Sequence, residues 1–145
     1  MANHGELHDY ANLYFDARNP MMYYIINHNN VNDLCIICVD KRVLDLKDTI
    51  VTELNAASEL ALFEKSERGL KFIKFEQVFA KSWDDPNYLE KIEKKAIKCA
   101  EVLVLGKVPI EYLLKIKVAT QLAKQEAESL NLGVPIEIDK FKFFK

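Results

Sequence analysis

The chain has 145 residues, half of them hydrophobic, which suits one folded domain with a real core and excludes a disordered chain. Twenty Lys and Arg face 22 Asp and Glu, for a net charge of −2. That balance excludes a general affinity for nucleic acid, so any such contact must come from a local basic cluster. With four Gly and four Pro there is no long linker, and residues 1–145 read as a single domain. Ala11 to Phe15 reads as a first strand, and Asp16 to Pro20 as a loop. Met21 to Ile26 is apolar throughout and fits a short helix or a buried strand; Pro20 at its start favours the helix. Leu34 to Val39, apolar on both faces, predicts a central strand. Asp40 to Lys47 turns the chain, and Thr49 to Leu54 alternates as a third strand. Ala56 to Phe63 fits a helical turn or two, and Phe75 to Ala80 a short amphipathic piece.

Asp85-Pro86 is a helix start, an N-cap acid followed by Pro at the first helical position. The helix is expected to run to about Lys98, with Leu89, Ile92, Ala96 and Cys99 as its apolar stripe. Glu90, Lys91, Glu93, Lys94, Lys95 and Lys98 then cover the outside. Ala100 to Leu105 is a strand that stops at Gly106, and Ile116 to Ala119 another. Gln121 to Leu130 is an amphipathic helix and Val134 to Ile138 a last strand; Lys140 to Lys145 is basic and aromatic. The sum is an α+β fold, a mixed central sheet of about five or six strands with flanking helices.

Three cysteines, an odd number, suit a reducing cytoplasm. Cys35 and Cys38 stand in an apolar strand, where residues three apart point to opposite faces, and no second Cys or His pair completes a zinc site. They read as buried structural thiols, and no metal is expected. No apolar stretch approaches a membrane span of about 20 residues. Met1 to Gly5 has neither the charge nor the apolar block of a targeting segment. A cytoplasmic location without membrane contact follows as the expectation.

Cys99-Ala100-Glu101-Val102-Leu103-Val104-Leu105 is apolar at every position but one. On a strand, Glu101 shares a face with Cys99, Leu103 and Leu105. A carboxylate there is costly to bury without partners. It therefore lies either on a solvated edge strand or in a pocket, where it would hold a sugar hydroxyl or stabilise a positive transition state.

Three blocks carry a family resemblance. Leu7-His8-Asp9-Tyr10 leads into a strand ending Tyr14-Phe15, then a loop Arg18-Asn19-Pro20-Met21-Met22-Tyr23. Thr52-Glu53-Leu54-Asn55-Ala56-Ala57 follows, and last comes Trp83 with a charged helix and Lys98-Cys99-Ala100-Glu101-Val102-Leu103-Val104. In this order, over roughly Leu7 to Thr120, they resemble the DarT-type DNA ADP-ribosyltransferases. The resemblance implies the ADP-ribosyltransferase fold and a bacterial toxin that transfers ADP-ribose from NAD to a base of single-stranded DNA. It implies, as partner, a macrodomain-type antitoxin that reverses the mark. Glu101 matches the catalytic glutamate, which would hydrogen-bond the ribose 2′-hydroxyl and stabilise an oxocarbenium-like transition state. Arg18 matches the loop arginine implicated in holding DNA. Tyr14 and Met21 belong to the same motif and would flank a base, Asn55 would stand beside the target base, and Lys95 matches a basic position one and a half turns before the glutamate. Thymine and guanine are both left open as the modified base.

The departures from the family pattern have consequences. Members begin with a strand carrying an H-x-T motif and then an Arg-containing segment over NAD, whereas only Met1 to Glu6 precede the L-H-D-Y block here. His4 does not match, because no strand surrounds it. Leu54 also replaces the usual Arg of the middle block. The expectation is an N-terminally truncated version of the fold, short by about 40 to 60 residues. Its NAD-binding residues are unidentified, and the chain alone is expected to show little or no transfer. The alternatives are a non-catalytic remnant that binds single-stranded DNA or the antitoxin, and a plain α+β domain with Glu101 on a solvated edge.

Overall fold

A computed structural model describes residues 7–144; His4 and Lys145 lie outside the described residues. The elements in chain order are β1 (Tyr10–Tyr14), α1 (Pro20–His28), β2 (Ile36–Val39), β3 (Ile50–Thr52), β4 (Phe63–Lys65), α2 (Ser66–Gly69), α3 (Phe75–Val78), α4 (Tyr88–Ile97), β5 (Glu101–Leu105), β6 (Leu113–Val118), α5 (Gln121–Ser129) and β7 (Ile136–Ile138). The α+β class holds, but the strands form two sheets rather than one central sheet. One is four-stranded, in the order β1-β5-β3-β4, and the other three-stranded, β2-β6-β7. By packing the chain divides into two compact units. The first takes the chain up to Asp16 together with Arg42–Val108, and the second takes Ala17–Lys41 with Pro109 onward.

In the first unit every strand pairing is antiparallel. Strand β5 is interior, with Glu101 opposite Tyr14 of β1 on one side and Thr52 of β3 on the other. One sheet face carries Ile50 and Leu103, which bury themselves with Ala56, Tyr10 and Phe63. A second apolar cluster of Ile73, Val78, Ile97 and Ala100 packs with Phe15 and Leu54. Leu54 thus does hydrophobic packing at the position where the resemblance expects a charge. Gly106 follows β5 with φ +79, a left-handed turn that suits glycine, and its N–H donates to the Asp9 carbonyl at 2.8 Å.

In the second unit β2 and β6 are antiparallel, and β6 and β7 parallel. Helix α1 begins as its sequence dictates. Asn19 caps it, accepting from the Met22 N–H at 3.0 Å, and Pro20 takes the first turn. Thr120 caps α5 in the same way through the Ala123 N–H at 3.1 Å.

Several expectations are corrected. Strand β2 is an edge strand, not a central one, and Ile37 on it is exposed. Cys35 is exposed and Cys38 half-buried, so of the three thiols only Cys99 is buried as expected. Residues 56–62 form no helix but turns leading into β4. Helix α4 begins at Tyr88 under an Asn87 cap, and Asp85 instead accepts from the Asn87 N–H at 2.8 Å. Of its expected apolar stripe Leu89 and Ile92 are exposed, Ala96 is half-buried and Cys99 is buried as expected, while Lys98, expected outside, is fully buried.

Candidate active site

Glu101 opens β5 and is 5% exposed, so the solvated-edge reading fails on both counts: the strand is interior and the carboxylate is out of water. Burial raises its pKa above the usual carboxylate range, partly offset by two donors. The Ala56 N–H donates to Oε2, and the Asn12 amide reaches Oε1 at 3.5 Å. An ionised carboxylate has about four lone-pair positions, so two such donors leave capacity for hydroxyls of a ligand. Asn12 is two residues from Tyr14 on β1 and therefore on the same face.

The Tyr14 hydroxyl is pushed up to about 12, by burial first and then by the negative charge of Glu101 and Cys99. It stays protonated at neutral pH. Across β5, Thr52 is wholly buried and its hydroxyl donates to the Leu54 carbonyl at 2.6 Å. That bond shapes the turn after β3 which brings the Ala56 N–H to the carboxylate. Asn55, half-buried in the same turn, accepts from the Ala57 N–H at 2.8 Å.

Three residues before Glu101 in the chain lies a buried cation. Lys98 donates to the carbonyls of Val78 and Ala80, both at 2.7 Å, and pairs with Asp16 at 3.6 Å. The ammonium thereby satisfies carbonyls at the C-terminal end of α3, where a helix leaves its last acceptors unpaired. It also ties the end of β1 to the start of β5.

The sequence-chosen residues fall in different places. Glu101, Tyr14 and Asn55 belong to one neighbourhood in the first unit, and Lys95 is exposed on α4. Arg18 and Met21 belong to the second unit, where Met21 is exposed on α1. The Arg18 guanidinium lies over the rings of Phe141 and Phe144 and donates to the Phe141 carbonyl at 2.6 Å. Sequence reasoning missed Asn12, the Ala56 N–H, the Lys98–Asp16 pair and the two phenylalanines. Asn12 was within reach of the period-two rule; the others join residues too distant in sequence for any local pattern. Among the described residues no group of three or more His, Cys, Asp or Glu is placed to hold a metal ion. No helix among them is long and apolar enough to cross a membrane.

Comparison with known proteins adds three findings. The family model described as "ssDNA thymidine ADP-ribosyltransferase, DarT" matches residues 1–144. A DNA ADP-ribosyl transferase-DNA ADP-ribosyl glycohydrolase fusion protein of Thermosipho africanus is 38% identical over 69 residues, which are 46% of this chain and 18% of that protein. Among solved structures, Thermosipho africanus DarTG in complex with ADP-ribose superposes with a TM-score of 0.83 at 26% identity, over 99% of this chain and 38% of that one. Thermus sp. 2.9 DarT is similar in fold in its complex with NAD+ (TM-score 0.80, 21% identity, 94% of this chain and 73% of that one). So it is in its complex with ADP-ribosylated ssDNA (TM-score 0.82, 22% identity, 95% and 70%). The chain thus spans less than half the length of the fusion relatives it matches.

Proposed function

The chain belongs to the DarT family of ssDNA thymidine ADP-ribosyltransferases, and from that membership we propose that it takes part in transferring ADP-ribose from NAD to a thymidine base of single-stranded DNA. The observation that carries the proposal is Glu101, a buried carboxylate on an interior strand with donors from Ala56 and Asn12. Cleaving the nicotinamide–ribose bond builds positive charge on the ribose. A carboxylate held in a low-dielectric site and accepting from the 2′-hydroxyl stabilises that charge more in the transition state than in the ground state. Ala56 and Asn12 orient the carboxylate so that it need not reorganise as charge develops. Tyr14, protonated beside it, has a hydroxyl to donate.

Thymidine is the proposed base because the matching family is described by it; no residue of the chain decides against guanine. Under this reading residues 1–145 act as one domain, Arg18, Tyr14, Met21, Asn55 and Lys95 meet the DNA, and the protein works in the cytoplasm. The partner is a glycohydrolase that removes the mark, as the name of the Thermosipho fusion protein suggests. The test incubates the purified chain with NAD and a thymidine-containing oligonucleotide and reads the intact oligonucleotide mass. Addition of one ADP-ribose, abolished in Glu101→Gln, is the outcome that supports this reading, and it would overturn the expectation that the chain alone shows little or no transfer. Transfer that survives in that variant overturns the reading. Retention of the oligonucleotide without transfer favours a DNA-binding chain instead.

A further inference from the structure

Strands β3 and β4 pair with Thr52 opposite Phe63, and residues 53–62 form the loop between them. Most hairpin loops have about two to five residues, and each further one carries backbone freedom that something must remove. Burial does part of this. The Ala56 methyl is buried with Ile50 and Leu103, and Leu54 packs against the cluster of Val78 and Ala100. The far side of the loop is held less by burial, since Leu60 and Leu62 are both exposed. Hydrogen bonds do the rest, and several are local. Thr52 donates to the Leu54 carbonyl at 2.6 Å, and Asn55 accepts from the N–H groups of Ala57 at 2.8 Å and Ser58 at 2.9 Å. Ser58 accepts from those of Leu60 at 3.3 Å and Ala61 at 3.2 Å. A different contact spans the mouth of the loop. The Leu62 N–H donates to both oxygens of the Glu53 carboxylate, at 3.1 and 3.0 Å, across nine positions of the chain.

A carboxylate accepting a backbone N–H is a stronger tie than a neutral acceptor. This one fixes the two ends of the loop against each other. The Ala56 N–H, which donates to Oε2 of Glu101, lies between those ends. A carboxylate aimed in advance need not reorganise as charge develops in the transition state. We propose that Glu53 is a positioning residue for Glu101: by closing the 53–62 loop on Leu62 it holds the Ala56 N–H against the Glu101 carboxylate. Glu53 itself needs no contact with NAD or DNA. The inference rests on the reading of Glu101 as the catalytic carboxylate.

The test follows amide hydrogen exchange and amide proton shifts by NMR in the full chain, for wild type, Glu53→Ala, Glu53→Gln and Glu101→Gln. In wild type the Leu62 N–H should be protected although its residue is exposed. An unprotected one overturns the inference with no variant needed. In Glu53→Ala the Ala56 amide should exchange about tenfold faster, the scale of one lost charge-assisted bond. Its proton should shift in the direction in which Glu101→Gln shifts it. The β5 amides of Val102 and Leu103 should keep their protection; if they lose it too, Glu53 is a general structural residue and the inference is overturned. Glu53→Gln keeps an oxygen for Leu62 and should recover most of the protection at Ala56. An Ala56 amide unchanged in Glu53→Ala, with Leu62 alone loosened, means that packing on Ile50 and Leu103 holds Ala56, and overturns the inference. Transfer of ADP-ribose is read alongside. Its kcat/KM should fall about tenfold in Glu53→Ala, with the KM for NAD unchanged, and return in Glu53→Gln. Transfer that survives in Glu101→Gln overturns the reading beneath the inference, whereas the amides of Ala56 and Leu62 judge the loop contact by themselves.

Discussion

A carboxylate removed from water holds its proton more tightly than one in the unfolded chain, and Glu101 is in that position. The folded state then binds more protons than the unfolded state above the ordinary pKa of 4.5. Stability contributed by this group is therefore present below the ordinary pKa and lost as pH rises through the raised one. Glu101→Gln keeps an amide oxygen for the Ala56 N–H and removes the buried charge. We expect it to melt no lower than wild type at pH 7 and to show less fall in stability between pH 4.5 and neutrality. Calorimetric scans of both proteins across that window check this. The same variant should lose transfer by about a hundredfold to a thousandfold, the scale of removing one preorganised electrostatic group. A stable, correctly folded and inactive variant is what separates a catalytic carboxylate from a structural one. Glu101 itself was legible from strand periodicity as a misplaced acid. Its donors were not, because Ala56 lies 45 residues and Asn12 89 residues away in sequence.

Helix α4 shows why amphipathic patterning misled. The sequence has apolar residues at 89, 92, 96 and 99, and the rule that such a stripe faces the core predicts that they are inside; Cys99 is, and Leu89 and Ile92 are not. Instead Lys91 pairs with Asp84 at 2.8 Å, Lys94 with Asp85 at 2.6 Å and, just past the helix end, Lys98 with Asp16 at 3.6 Å, and within the helix it is Ile97 that is buried. The Lys91–Asp84 pair is largely solvated and contributes little, and the Lys94–Asp85 pair is partly covered. Lys98 is different, since it is wholly buried and donates to two carbonyls as well as pairing with Asp16. Lys98→Met leaves Asp16 without its cation and should destabilise the protein by roughly 3–5 kcal/mol. Adding Asp16→Leu should recover part of that loss, as a thermal melt of single and double variants would reveal. Glycine at 69 is also an element-scale requirement. A Cβ there would stand 2.1 Å from Cγ2 of Val51, where α2 crosses β3. Gly69→Ala should cost about 1–3 kcal/mol by overpacking, measurable in urea, and an unchanged midpoint would contradict that packing. The strands and capped helices were legible in sequence because caps and alternation are local. Edge against centre was not, and β2 misread as central is the case in point: its apolar run describes propensity, not its neighbours.

At the scale of the molecule, the family was legible because its three blocks span β1 to β5 and include the residues that build the carboxylate's surroundings. Asn12, Tyr14, Thr52, Ala56 and Glu101 all fall inside them. The division of the strands between two sheets was not legible, since even the nearest paired residues of β3 and β5, Thr52 and Glu101, are 49 positions apart and no local signal says which strands pair. The central claim is that Glu101 acts as an ionised carboxylate in a site that resists its ionisation. The pH dependence of kcat/KM for ADP-ribose transfer from NAD to a thymidine oligonucleotide tests it most directly. The account predicts an acidic limb whose midpoint lies above 4.5, the ordinary value for a glutamate, and, for Glu101→Gln, transfer about a hundredfold to a thousandfold lower with that limb gone. A limb at or below the ordinary value, or a Glu101→Gln profile that follows wild type, would contradict it.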